Sequence, residues 1–320
     1  MTIETINPTE FEWQIIINPY ALSLQNNIYK TQIEVELQRI GIAYKKHLAD
    51  DGHGTCREQI CRLCQAGERH FIVCGGDGTI NEIINGIFLS GVNTHEVYVA
   101  ILPMGTGNDF CRTHLYPNDL QETLRCLAHP SFIQHDVGLV KSINGNGTIA
   151  ERYFINIAGF GFDADVIQHT VGNKPKHFSS AIYLTTLLKV LFKHKSQNIH
   201  IKGDNFDITE NVYTMAVGIG KYNGNGMMQV PMALQDNGLL DLVVIRHVSP
   251  FKVIANVKNL YAGKHLKMKE VSTYKTQHIS IRSSEHVLGE VEGEMLKQGD
   301  YDISVLPRSV NIMTMQQNNL

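Results

Sequence analysis

The chain has 320 residues, of which 43% are hydrophobic and 18% are charged. It is longer than a typical domain of roughly 100–200 residues, so we expect two domains, and its composition excludes disordered, fibrous and membrane-embedded proteins. The formal net charge of −3 argues against a nucleic-acid partner, which would require a basic surface. Residues 1–12 lack the apolar core of a signal peptide, and no apolar run reaches the roughly 18 residues of a membrane span, so we expect a cytoplasmic protein.

Short apolar runs alternate with helical patterns through the first half of the chain. Strands are predicted at residues 13–17, 71–74 and 97–102, and helices at 30–40 and 57–65. This alternation is typical of βαβ units, which build a parallel sheet.

Two glycine-rich turns follow neighbouring predicted strands. Gly75-Gly76-Asp77-Gly78-Thr79 comes directly before a helical pattern, and Gly105-Thr106-Gly107-Asn108-Asp109 follows the next strand and Pro103. Both turns therefore lie at the carboxyl ends of parallel strands, where open α/β sheets bind ligands. The helix after the first turn has one apolar face, formed by Ile80, Ile83, Ile84, Ile87 and Phe88.

The turn at residues 75–79 has the composition of a phosphate-binding loop. Its glycines let backbone N–H groups and a helix N-terminus approach a phosphate. Asp77 is then placed to face a magnesium ion on the phosphates or to help handle a proton. The alternative is a structural turn in which Asp77 only caps the helix. The second turn favours the phosphate site.

From about residue 139 onwards, β-like runs separated by turn residues predict an antiparallel β region. The predicted strands are 152–157, 212–219, 239–245, 278–281 and 301–306, and a last strand at 309–315 is predicted to return to the first domain. Asn-Gly repeats predict hairpin turns at residues 144–147 and 223–226.

Two segments carry a resemblance to a known family. GGDGTINEI at 75–83 and PMGTGNDFCR at 103–112 resemble the diacylglycerol kinase catalytic domain, which bacterial soluble lipid kinases share with sphingosine and ceramide kinases. NAD kinases and phosphofructokinases also use a GGDG-type loop, but the second segment resembles the lipid kinases. The resemblance continues through Asp136-Val137-Gly138 and FINIAGFGFDADV at 154–166 to the end of the chain.

The resemblance implies a fold, a function and a set of ligand-binding residues. It implies a Rossmann-like α/β domain at residues 1–138, completed by about 307–320, and an antiparallel β-sandwich domain at 139–306 for the lipid substrate. The implied activity is an ATP-dependent lipid kinase that phosphorylates a lipid hydroxyl such as that of diacylglycerol, in phospholipid biosynthesis. The residues implied to hold ATP and Mg²⁺ are Asn18, Gly75, Gly76, Asp77, Gly78, Thr79, Asn81, Glu82, Gly105, Thr106, Asn108 and Asp109.

Two carboxylates are candidates for the catalytic base. Glu292-Gly293-Glu294 resembles the Asp-Gly-Glu of the family, whose final Glu is the proposed proton acceptor, so Glu294 is one candidate. Some members assign the role to the Asp of the GGDG loop, here Asp77. Spacing alone favours an exposed acidic hairpin at residues 292–294.

A structural magnesium site is implied at Leu234, Asn237 and Leu239, where bacterial relatives bind the ion through an Asp and two main-chain oxygens. Asn237 replaces that Asp, and an uncharged amide weakens a magnesium site. A plain hairpin turn at Asp236-Asn237-Gly238 is the alternative.

Residues 182–195 combine apolar positions with Lys189, Lys193 and Lys195. Such a helix lies on a membrane surface, giving a transient peripheral contact during turnover, or packs on the β domain. The rival functions are an NAD kinase and a lipid-binding regulatory protein with weak catalysis. The sequence leaves open whether the protein is a monomer or a homodimer.

Overall fold

The computed structural model describes residues 3–19, 21, 27–49, 55–117, 119–171, 180–285 and 287–315. The strands in these ranges are β1 (Ile3–Thr5), β2 (Glu12–Ile17), β3 (Ala43–Leu48), β4 (His70–Gly75), β5 (Tyr98–Pro103), β6 (Ser131–Ile143), β7 (Ile149–Phe154), β8 (Ile157–Gly161), β9 (Gln197–Gly203), β10 (Asp207–Gly218), β11 (Leu240–Arg246), β12 (Val271–Thr276), β13 (His278–Arg282), β14 (Gly289–Val291), β15 (Glu294–Met295) and β16 (Asp300–Met313). The α-helices are α1 (Asn27–Ile40), α2 (Cys56–Gln65), α3 (Asp77–Leu89), α4 (Asp109–Thr113), α5 (Leu120–Cys126), α6 (Phe162–Val171), α7 (Ser180–Lys193) and α8 (Pro250–Tyr261).

The first half of the chain forms the predicted parallel sheet, in the order β3-β2-β4-β5. Strands β2, β4 and β5 are almost continuously buried, as expected for parallel strands covered on both faces. Helix α3 begins at Asp77, and its predicted apolar stripe packs into the same core through Ile80, Ile83, Ile84 and Ile87.

The second half forms antiparallel pairs around a separate core. The strand order is β15-β14-β8-β10-β9-β13-β16, and β11 and β12 extend the sheet from β10. Tyr301, Phe154 and Phe160 are the largest residues of this second core, and the rings of Phe160 and Tyr301 meet edge to face at 5.0 Å. The predicted fold class, a parallel α/β sheet followed by an antiparallel β-sandwich, is confirmed.

Two long strands, β6 and β16, join the two halves. They pair antiparallel from Asp300–Ile143 to Met313–Phe132, and the end of β16 pairs in parallel with β5. The predicted domain boundaries at residues 138 and 306 fall inside these strands, so the division into domains stays a prediction.

The bounds of two predicted strands were wrong, and some helices were missed. Residues 301–306 and 309–315 were predicted as separate strands, but β16 is continuous, with a bulge where Arg308 has φ +49°. Residues 152–157 were predicted as one strand, but β7 ends at Phe154 because the next two backbone N–H groups bind a side chain. Helices α5, α6 and α8 were not predicted, although Ser249 before Pro250 is a common helix start.

No helix in the described ranges has the length and apolar character needed to cross a membrane.

Candidate active site

The two glycine-rich turns touch each other at the carboxyl ends of β4 and β5. A Cβ added to Gly105 would lie 2.5 Å from the Cα of Gly76, and one added to Gly76 would lie 2.8 Å from the Cα of Gly105. No side chain fits in this contact, so both positions need glycine. The predicted position of both turns at the carboxyl ends of neighbouring parallel strands is confirmed.

Asn108 closes the second turn. Its Oδ1 accepts a hydrogen bond from the backbone N–H of Gly105, and its Nδ2 donates to the carbonyl of Gly105, both at 3.0 Å. The residue has φ +50°, a left-handed conformation that Asn tolerates better than most residues. This reciprocal pair fixes the loop that begins at Gly105 and includes Thr106.

Asp77 links the first turn to the second. Its Oδ2 accepts from the N–H of Asp109 at 3.1 Å, and its Oδ1 accepts from the N–H of Phe110 at 3.0 Å. These are orphan donors of the first turn of α4, so Asp77 caps α4 across the site. The sequence alternative was that Asp77 caps α3, the helix that begins at this residue. In the structure it caps α4 instead.

Asp109 in turn holds a hairpin turn from the second half of the chain. Its Oδ2 accepts from the N–H of Asn225 at 2.7 Å and its Oδ1 from the N–H of Gly226 at 2.6 Å. Burial and the nearby Asp77 raise the pKa of Asp109, while the two amide donors oppose that shift. Hydrogen bonds from backbone N–H groups to the Asp77 and Asp109 carboxylates therefore link the first turn to the antiparallel region.

Asn18 and Thr79 border the first turn. The Nδ2 of Asn18, which follows β2, donates to the Oγ1 of Thr79 at 2.8 Å. The Thr79 side chain lies over Gly75, where an added Cβ would meet it at 2.6 Å. Gly78 is exposed. Gly76 is the N-cap residue of α3 and provides no side-chain capping hydrogen bond, so the N-terminus of this helix has no side-chain cap.

Asn81 and Glu82 were predicted to help hold ATP and magnesium. In the structure Asn81 is buried, its Oδ1 accepts from Arg152 at 2.6 Å, and its Nδ2 donates to the carbonyl of Tyr153 at 3.0 Å. Glu82 pairs with Arg57 at 2.6 Å and with Arg152 at 3.1 Å. Both side chains thus join α3 to its neighbours, and their role in ligand binding stays a prediction.

Glu292 occupies the tip of a two-residue hairpin between β14 and β15. Its φ is +51° and that of Gly293 is +85°, the arrangement of a type I′ turn, which Asn or Gly would adopt more easily than Glu. Its Oε1 accepts from the N–H groups of Ile155 and Asn156 at 2.7 and 2.8 Å, which offsets the strain.

The carboxyl group of Glu292 faces the first glycine turn. Desolvation raises its pKa to about 7, with a further contribution from Asp77, although the amides of Ile155 and Asn156 oppose the shift. Glu294, the residue predicted as base, is exposed at the start of β15. The sequence had indicated only that Glu292 replaces an Asp, and nothing in the pattern showed that it contacts the break between β7 and β8.

Two further carboxylates lie behind this hairpin and were missed by sequence reasoning. Glu290 is 1% exposed, and its Oε2 accepts from the N–H of Gly293 at 2.7 Å. Asp163 is the first acidic residue of α6. A Cβ added to Gly159 would meet both Glu290 Oε1 and the Asp163 side chain, so these two side chains lie on the same side of Gly159. Asp163 also accepts a hydrogen bond from Gln229 at 3.0 Å. Burial raises the pKa of Glu290 to about 8 and that of Asp163 to about 6.

The family resemblance implies a magnesium ion bound together with ATP. The described residues contain no cluster of three or more His, Cys, Asp or Glu side chains that could hold a metal by itself. Magnesium in kinases is usually held by one or two carboxylates together with phosphate oxygens and waters. Each Asp77 oxygen accepts one backbone N–H and keeps a second lone pair, so Asp77 beside the first turn can still serve as such a ligand.

The second predicted metal site, at Leu234, Asn237 and Leu239, fits less well. The Oδ1 of Asn237 accepts from the N–H of Leu239 at 2.9 Å, and the buried Asp136 accepts from the N–H of Gly238 at 2.7 Å. Protein hydrogen bonds thus close this turn as in the hairpin alternative, and the metal site there stays a prediction.

Comparisons with known proteins agree with this geometry. Residues 12–140 match the diacylglycerol kinase catalytic domain, and residues 156–314 match the YegS C-terminal NAD kinase beta sandwich-like domain. A "probable lipid kinase YegS-like" protein of Pseudomonas putida is 24% identical over 259 residues, which cover 81% of each chain. A diacylglycerol kinase of Staphylococcus carnosus is 24% identical over 282 residues, 88% of each chain.

Solved structures support the same fold. A diacylglycerol kinase from Bacillus anthracis superposes with a TM-score of 0.68 at 20% identity, over 95% of this chain and 96% of the other. Yeast NADH kinase superposes with a TM-score of 0.53 at 14% identity, over 96% and 84%. The two sequence matches together cover most of the chain and contain both glycine turns, and the chain belongs to the diacylglycerol kinase catalytic-domain family of lipid kinases.

Proposed function

We propose that this protein transfers the γ-phosphoryl group of ATP to the hydroxyl group of a lipid such as diacylglycerol, with Mg²⁺. The observation that carries the proposal is the contact between Gly76 and Gly105, which brings two backbone loops together at the start of α3. Backbone donors at a helix N-terminus are suited to the phosphates of a nucleotide.

The acceptor side of the reaction is assigned to the hairpin at residues 292–294. Glu292 of this hairpin is close enough to Asp77 for the two carboxyl groups to interact, and a lipid hydroxyl bound beside them would face the γ-phosphoryl group held by the turns. Little covalent chemistry falls to the protein in phosphoryl transfer, and its main contribution is to position both groups and to stabilise the developing charge. When bound, Mg²⁺ would neutralise phosphate charge, and Asp77 would help to hold it.

Glu294 and Asp77 are the proposed candidates for the catalytic base. Glu294 is exposed and free to meet a lipid hydroxyl, whereas both oxygens of Asp77 already accept backbone N–H groups. This difference favours Glu294 as the proton acceptor and Asp77 as the group that holds the loops. Glu292 positions the hairpin through its two amide contacts.

A substrate panel tests the proposal. Purified protein is incubated with labelled ATP and magnesium and with diacylglycerol, a sphingoid base, phosphatidylglycerol or NAD. We expect label in a lipid product. Label in NAD alone would establish the rival NAD kinase, and lipid binding without any turnover would establish a regulatory protein.

A pair of isosteric variants tests the base assignment. Glu294→Gln should lower kcat by on the order of 10²-fold or more, without changing the KM for ATP, because it removes only the proton acceptor. Glu292→Gln keeps an acceptor oxygen for Ile155 and Asn156, so it is the matched control and should retain more activity. If Glu292→Gln is inactive and Glu294→Gln is not, the role of base passes to Glu292.

A further inference from the structure

Helix α8 exposes an apolar stripe. None of its residues is buried, and Phe251, Ile254, Val257 and Tyr261 are 74%, 47%, 41% and 47% exposed. These four residues are spaced three, three and four positions apart, so they lie along one side of the helix. A helix that leaves its apolar side in water presents an interaction surface.

Helix α7 continues this stripe. Leu188 and Phe192 are 38% and 54% exposed, whereas Leu191 packs into the small core that also contains Val253 of α8. The rings of Phe192 and Phe251 meet edge to face at 5.7 Å, which joins the two exposed sides. The resulting surface, the α7–α8 face, consists of Leu188, Phe192, Phe251, Ile254, Val257 and Tyr261.

The chain segments that carry this face are strongly basic. Helices α7 and α8 contain Lys189, Lys193, Lys252 and Lys258 and no Asp or Glu. Lys189 and Lys193 on α7 and Lys258 on α8 are exposed next to the apolar side chains. Positive charge thus lies beside the apolar side chains of the α7–α8 face.

We propose that the α7–α8 face docks on the surface of a membrane that contains anionic lipids. Apolar side chains flanked by lysines insert at the boundary between headgroups and acyl chains, and each lysine near the surface adds attraction to anionic headgroups. A second copy of this chain is a poorer partner for the face, because two such faces would bring like charges together. The sequence left two alternatives for residues 182–195, a membrane surface and packing on the β domain. Helix α7 packs on the β region through Leu191, and its exposed side belongs to the α7–α8 face.

The α7–α8 face is connected to the site by a short stretch of chain. The N–H of Met228 donates to the carbonyl of Leu260 at the end of α8, at 3.2 Å. Two residues earlier, Gly226 donates to Asp109 in the second glycine turn. Docking of α8 would thus hold the site close to the membrane, an advantage that rests on the proposed function, because only a lipid substrate requires it.

Vesicle sedimentation without ATP tests the docking directly. The full-length protein is mixed with vesicles of phosphatidylcholine alone or of phosphatidylcholine with phosphatidylglycerol, at low and high salt. We expect binding to the anionic vesicles to be at least about tenfold tighter and to weaken with salt. Equal binding to both vesicles, or to neither, would overturn the proposal.

Matched variants locate the binding surface. The double variants Phe251→Ser/Ile254→Ser and Lys189→Gln/Lys193→Gln should each weaken vesicle binding by at least about tenfold. The controls Ile149→Ser, which changes a side chain of similar exposure (57%) outside the face, and Lys45→Gln should bind as the unchanged protein does. Circular dichroism verifies that every variant is folded.

Two further measurements separate this proposal from its alternatives. Transfer to a short-chain diacylglycerol dispersed as monomers should be unchanged in the double variants, because docking is then unnecessary. If the unchanged protein phosphorylates no lipid but binds anionic vesicles through the α7–α8 face, only the proposed function fails. If Phe251→Ser/Ile254→Ser converts a dimer to a monomer in sedimentation without loss of vesicle binding, the face is a dimer interface and the docking proposal fails.

Discussion

Two groups of acidic side chains lie in and behind the site, and they differ in the number of donors that reach them. Asp77 and Asp109 each accept two backbone N–H groups, one on each oxygen. Glu290 accepts one such group on Oε2, and its Oε1 has no hydrogen-bond partner within the described part of the chain. Asp163 lies next to it, on the same side of Gly159.

This difference determines what each carboxylate can do. Through two amide donors each, Asp77 and Asp109 fix loops in place and act as links between the two halves. Burial raises the pKa of Glu290 to about 8, the N–H of Gly293 opposes the shift only in part, and the nearby Asp163 and Glu292 add to it. Side chains of similar chemistry therefore serve as loop anchors in one place and as groups that titrate near neutral pH in the other.

The largest effect is expected for Asp77→Ala. The change leaves the N–H groups of Asp109 and Phe110 without their acceptor and releases the second glycine turn. Phosphoryl transfer should fall by at least roughly a hundredfold, since small displacements of positioning groups have effects of that size. Circular dichroism should show an intact fold, and transfer assays measure the loss. Activity close to that of the unchanged protein would show that the two links are unnecessary.

A smaller effect, on stability, is expected for Glu290→Gln. The pKa of Glu290 is about 8 in the folded protein, against an ordinary value of 4.5, so the folded state binds more protons than the unfolded state between these values. Its contribution to stability is therefore complete below about pH 4.5 and is lost as the pH rises to about 8. The free energy of unfolding should fall over this range, and Glu290→Gln should flatten the fall by about 1 kcal/mol or more.

Urea unfolding at several pH values between 5 and 8 measures this slope. The matched control is Glu151→Gln, because Glu151 is an exposed surface partner of Lys141. An unchanged slope in Glu290→Gln would mean that Glu290 is ionised in the folded protein and that the contrast with Asp77 and Asp109 does not hold.

The smallest effect is expected for Asp163→Asn. The amide retains an oxygen for Gln229 and removes a charge beside Glu290. The pKa of Asp163 is raised to about 6, so its pH-dependent contribution to stability is lost over a narrower and more acidic range than that of Glu290. We expect the free energy of unfolding at pH 7 to change by less than about 1 kcal/mol, measured by urea unfolding. A larger loss in the free energy of unfolding at pH 7 than that caused by Glu290→Gln would show that Asp163 contributes more to stability than Glu290.

Much of the fold was predictable because it depends on local patterns. The apolar runs of β2, β4 and β5 and the stripe of Ile80, Ile83 and Ile84 follow from periods that the sequence shows directly. Prediction failed where a side chain from a distant segment took the place of a strand partner. The break between β7 and β8 exists because Glu292, 137 residues after Ile155, binds the backbone there.

The site was predictable to a similar extent. The sequence by itself determined that two glycine turns lie at the carboxyl ends of adjacent parallel strands, and that the chain resembles lipid kinases, because glycine and strand patterns are local. Only the tertiary structure decided which carboxylates receive backbone donors and which remain buried with few. Asp109 meets the N–H of Asn225 across 116 residues, and such a contact is fixed by the packing of the two halves, which no local pattern records.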